Sequence, residues 1–236
     1  MQKRTQSANE VARSVNVSVA WGVVSGVSII AFPIMLLVGF ATHPNILSMS
    51  MVLDLKIWTS EWRTNDLFHI GHLIVMFAVP FIIFAAIALA SLLRGRGAWH
   101  GFVGAILSVF GAFLLAVDKG ALTFVLTAFK DMPDQDFDAI TPALAAIFNR
   151  EGWLWITWGY IALPIGFIIL TIGLLREAVI RRLQGVCIIV GLLLLINPDI
   201  EIISSAGALL MCAGFVPIGW AFLLGRMTPS TAPLKG

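Results

Sequence analysis

Five apolar runs, at residues 18–41, 70–93, 101–126, 153–175 and 183–225, constrain this chain more than any other feature. Each is long enough to cross the ~30 Å hydrocarbon core of a bilayer as a helix rising ~1.5 Å per residue. In hydrocarbon, backbone N–H and C=O groups must pair within the segment or around a closed barrel. The runs do not alternate polar and apolar residues as barrel strands do, so helices are expected. Only 12% of residues are charged and mean hydropathy is +0.95. A soluble domain carries about 25% charged residues, too many for this chain to match.

The last run is too long for one helix. Its centre reads Asn197-Pro198-Asp199-Ile200-Glu201, a turn signal with two acids. Splitting it there gives an all-α, polytopic integral membrane bundle of about six transmembrane helices. The expected spans are 18–41, 70–93, 101–126, 153–175, 182–197 and 203–225. Residues 1–17 and 227–236 are read as tails flanking a membrane domain over 18–226. Met1–Asn16 is polar and lacks a small-residue cleavage site after a short apolar core, so the first run is expected to stay as an anchor.

Lys and Arg set the orientation. With the N-terminus inside, ten bases are cytoplasmic: Lys3, Arg4, Arg13, Arg94, Arg96, Arg176, Arg181, Arg182, Arg226 and Lys235. Four are outside: Lys56, Arg63, Lys130 and Arg150. Both termini are therefore expected in the cytoplasm, in a membrane of the bacterial plasma (inner) type. The second, fourth and sixth spans each carry a proline, Pro80, Pro164 and Pro217, before a Leu-Leu-basic exit, a weak internal repeat. Residues 44–66, with Trp58 and Trp62, are read as an outer interfacial helix. Trp153, Trp155 and Trp158 are read as an aromatic belt.

Chemistry-bearing residues are few. Asp118 and Lys119 lie in the outer part of the third span, where ionisable groups are costly and are functional candidates by default. Neighbours on a helix point about 100° apart, so each is expected to find a partner elsewhere, or water. His43 ends the first span and His69 and His72 open the second, all at the outer edge. Asp66 precedes His69 by one turn, and Glu151 opens the fourth span. The candidate ligand-binding set is therefore His69, His72, Asp118, Lys119, Glu151 and Asp66. Imidazole is a common ligand for metals and haem iron. Hence His43, His69, His72 and Asp118 form a candidate metal set, and His43 with His72 a candidate pair flanking a haem. Gly22-x-x-x-Gly26 and Gly104-x-x-x-Ser108-x-x-x-Ala112 are signals for close helix packing.

Other chemistries find no motif. The chain has no His-Glu-x-x-His, no Gly-x-Ser-x-Gly and no Gly-rich phosphate loop. A net charge of +2 does not point to nucleic acid. Cys187 and Cys212 lie inside apolar runs and read as small hydrophobes. Three readings stay open. The first is an outward-facing polar site that binds or translocates a small solute, a lipid head group or protons. The second is a structural or accessory subunit packed against a membrane partner or a second copy of itself. The third is a membrane redox protein holding a haem or metal ion. Whether the chain is an enzyme is not decided by its residues.

Overall fold

Helix boundaries follow local chemistry. The computed structural model describes residues 2–44, 46, 47, 49, 63–148, 161–197 and 200–227, with side chains from residue 17 onward except 126 and 145–148. Helix α1 runs over Gln2–Ala41 and carries Pro33 within it. Helix α2 spans Asp66–Ser91, and the side chain of Asn65 caps it by accepting from the Phe68 amide at 3.1 Å. A 3-10 turn at Gly95–Gly97 leads into α3, Ala98–Ala128. Gly95 takes φ 55, the left-handed region that Gly enters without a Cβ penalty. Then come α4, Asp134–Phe148, α5, Ala162–Arg176, α6, Arg182–Leu195, and α7, Glu201–Leu223. Asn197 organises the turn between α6 and α7. Its amide nitrogen donates to the Leu194 carbonyl and to Ser204 Oγ, and its oxygen accepts from the Ile200 amide.

Among the described residues, four helical segments are long and apolar enough to cross a membrane: Val17–Ala41, Asp66–Ser91, Gly95–Val125 and Glu201–Leu223. Helices α5 and α6 are apolar but have 15 and 14 described residues, fewer than the ~20 of a full crossing. The residues before α5, with Glu151 and the three tryptophans of the expected belt, lie outside the described residues, as does most of the expected interfacial helix.

Six helices close a ring. Helix α1 packs on α2, α2 on α3, α3 on α5, α5 on α6, α6 on α7, and α7 returns to α1. The faces are sorted as a lipid solvent demands. Phe77 and Phe113 are each 60% exposed, and Phe110, Ile106 and Trp220 also face outward. Small hydroxyl residues, Ser25, Ser28, Ser108 and Thr171, are buried. Water-soluble folds bury such large apolar groups, whereas lipid leaves them no reason to hide.

Reciprocal glycine contacts set the helix spacing. A Cβ on Gly26 would lie 2.8 Å from the Gly219 carbonyl oxygen, and one on Gly219 2.7 Å from that of Gly26. Gly104 and Gly166 show the same reciprocity across α3–α5, and Gly191 and Gly207 across α6–α7. Backbones therefore touch at these seams, the van der Waals packing that drives helix association in lipid.

The interior is stitched by Phe32, Phe167 and Phe215, from α1, α5 and α7. Their ring centres lie 5.3, 4.9 and 5.7 Å apart in stacked and edge-to-face pairs, and all three are buried. Leu89, Leu170 and Leu174 are also fully buried. At the end of the bundle bearing Arg94 and Arg176, the Glu177 carboxylate accepts from the Gly97 amide at 2.5 Å.

Candidate functional site

The other end of the bundle carries His43, His69 and His72. The turn after α1 is held by Thr42, whose hydroxyl donates to the Gly39 carbonyl at 2.7 Å. This places His43 over the ring's interior. Its Nδ1–H donates to Glu201 Oε1 at 2.6 Å, joining the ends of α1 and α7. The His43 ring stacks on His72, with centres 5.1 Å apart and planes inclined by 6°. Phe68 backs both rings.

His72 is 3% exposed. Its Nδ1 lies 3.0 Å from the Phe68 carbonyl oxygen, which only accepts, so Nδ1 carries the hydrogen. In the neutral ring Nε2 is then an acceptor. Asp118 and Lys119 face each other, Nζ to Oδ2 at 3.3 Å. This corrects the expectation that helix geometry keeps the two neighbours apart. The long, flexible lysine stem closes the angle that the backbone opens.

These groups share one cavity of about 300 Å³, lined by residues of all six ring helices and by His43. Its polar end holds His43, His72, Asp118, Lys119, Asn197 and Ser204. Its apolar walls include Leu36, Ile82, Leu115, Leu192 and Met211, and Phe32 and Phe167 bring the aromatic cluster to its lining. Leu89, Leu170 and Leu174, on the arginine side of that cluster, do not line it. The turn after α6 contributes Ile196 and Asn197. Irregular backbone at membrane depth is tolerated where it lines such a space.

No protein-family model, no curated protein and no solved structure matches this chain. What the site can do is therefore argued from its own residues.

Of the expected site, His72, Asp118 and Lys119 line the cavity together with His43. His69 does not. Its Nε2 lies 3.1 Å from the Arg63 carbonyl and its Nδ1 3.0 Å from Thr127 Oγ1, so both ring nitrogens are occupied at the α2–α3 seam. A spacing of three residues rotates the side chain by about 60°, enough to send His72 inward and His69 sideways. Asp66 is exposed and pairs with Lys130, whose pKa that hydrogen bond pushes up. Glu151 lies outside the described residues.

The candidate metal set is not assembled. Among the described residues no group of three or more His, Cys, Asp or Glu is placed to hold a metal ion, and His69 is turned away from His43, His72 and Asp118. Nor does the histidine pair fit a haem. Two imidazoles bound on opposite sides of an iron, each bond ~2.0–2.1 Å as for a typical metal–imidazole contact, hold their ring centres farther apart than the 5.1 Å here.

Glu201, Asn197 and Ser204 were not candidates from the sequence. Glu201 and Asn197 belong to the turn that divides the last apolar run, and read there as boundary residues. Only closure of α7 onto α1 brings Glu201 to a histidine 158 positions earlier.

Proposed function

We propose that this chain is a membrane-embedded binding protein that crosses the bilayer six times, with its histidine end outward and both termini cytoplasmic. Its central cavity takes a small solute or lipid with an apolar body and a polar head. One observation carries this reading. Among the described residues, a space of about 300 Å³ has apolar walls and a set of polar side chains that pair as His43 with His72, Asp118 with Lys119 and Asn197 with Ser204. That is the usual composition of a small-molecule site, in which a few polar groups orient an otherwise apolar ligand. The aromatic cluster of Phe32, Phe167 and Phe215 favours binding over passage, because its buried rings pack on one another at the cavity wall. The ten-to-four division of bases supports the orientation.

The test is a thermal-shift screen of solutes and lipid head-group analogues on detergent-purified protein. Compounds are expected that raise the Tm of the wild type but not of Leu115→Phe, which fills the cavity. If every stabilising compound acts equally on Leu115→Phe, the cavity is not the site.

A further inference from the structure

We infer that the head of the cavity's occupant is uncharged and donates a hydrogen bond: an alcohol or phenol on an apolar body of about ten non-hydrogen atoms. This rests on the binding reading above and adds the ligand's chemical class.

Among the described residues that line the cavity, the one carboxylate and the one amine are matched to each other. Asp118 and Lys119 neutralise each other at 3.3 Å, with side chains only 18% and 23% exposed. Glu201 is engaged by His43 at 2.6 Å, with both side chains less than a fifth exposed. A carboxylate or ammonium head brought here adds a charge without a counter-charge, in surroundings where water screens little. Burying such a group costs several kcal/mol after relaxation.

The hydrogen-bonding capacity points the same way. Asn197 has both amide hydrogens committed, so toward a ligand it can only accept. Ser204 Oγ accepts from Asn197, which leaves its own O–H to donate. His72 has Nδ1 committed to the Phe68 carbonyl, and among the described residues its second nitrogen has no hydrogen-bond partner. The cavity thus offers an acceptor at His72, from α2, and a donor at Ser204, from α7, both in its lining. A hydroxyl satisfies both, donating to His72 Nε2 and accepting from Ser204. A ketone or ether accepts only and leaves the buried imidazole nitrogen unmet.

Size sets the body. At the ~30 Å³ that a water molecule takes in the liquid, about 300 Å³ holds about ten non-hydrogen atoms.

The experiment uses the full chain in lipid nanodiscs and equilibrium binding of three radiolabelled probes: octan-1-ol, octanoate and octylammonium. The expected result is saturable binding of octan-1-ol at one per chain, with both ions at least tenfold weaker. His72→Phe, which keeps a ring but loses the acceptor, should weaken octan-1-ol five- to tenfold. His72→Gln, whose amide oxygen accepts, should restore part of that loss. If octanoate or octylammonium binds as tightly as the alcohol, the uncharged head is wrong while the cavity remains a binding site. If none of the three binds saturably, the inference and the binding reading both fall. The probe comparison in wild type decides the head group even if a variant fails to accumulate.

Discussion

His43 Nδ1 and Glu201 Oε1, 158 residues apart in the chain, lie 2.6 Å from each other and tie the end of α1 to the start of α7. This is the seam where the six-helix ring closes. Hydrogen bonds to charged groups contribute roughly 1.5–3 kcal/mol when little screened. Glu201→Ala is expected to lower stability by about 1–3 kcal/mol, while Glu201→Gln, which keeps an acceptor, loses less. Thermal unfolding of the two variants in one detergent compares them. Identical melting of Glu201→Ala and wild type would remove this pair from the account of ring closure.

Gly22 and Gly26 look equivalent in the sequence but not in the bundle. A Cβ on Gly26 meets the Gly219 carbonyl at 2.8 Å, whereas one on Gly22 meets its nearest atom, the Phe222 carbonyl oxygen, at an ordinary 3.7 Å. Gly26→Ala should cost about 1–3 kcal/mol by forcing α1 from α7. Gly22→Ala should be neutral or stabilising, since Ala is favoured over Gly within a helix by up to ~1 kcal/mol. Measured unfolding that ranks the two in the opposite order would contradict the α1–α7 contact.

His69 and His72 separate a structural histidine from a cavity histidine. His69→Ala strands Thr127 and the Arg63 carbonyl, so a stability loss of about 1–3 kcal/mol is expected. Affinity for a cavity ligand should stay unchanged, because His69 does not line the cavity. A His69→Ala protein that accumulates normally but loses binding would move the site to the α2–α3 seam.

Topology is open to direct labelling. In a background with Cys187→Ser and Cys212→Ser, Asp131→Cys and Arg96→Cys place single thiols at exposed positions of opposite ends. A membrane-impermeant thiol reagent applied to intact cells should label position 131 and spare position 96. Labelling of position 96 alone would invert the orientation, and with it the outward face of the cavity.

The helical, lipid-facing character was legible in the chain because it depends on local, additive properties. Run length, charge depletion and the turn at Asn197 each act over a few residues. The expected boundaries differ by a few residues from α2, α3, α6 and α7 as observed, since end turns and caps such as Asn65 extend or trim a helix without changing its hydropathy. Position along each run was legible too, which is why His43, Asp66, His69, His72, Asp118, Lys119 and Glu151 were named together, of which His43, His72, Asp118 and Lys119 line one cavity.

Direction around each helix was not legible in the same way. Whether His69 or His72 faces the cavity depends on how α2 is rotated against α1 and α3, and its apolar residues are spread too evenly around the helix to say. The partners of His43 and Asp118 likewise waited on packing. The Asp118–Lys119 pair depends on a side-chain rotamer, and the His43–Glu201 pair on a ring that closes only when six helices come together. Composition and periodicity reach along a single segment, and so they were enough for an all-helical chain with several helices apolar enough to cross a membrane. A site assembled from residues on several helices exists only once close glycine contacts have set those helices side by side.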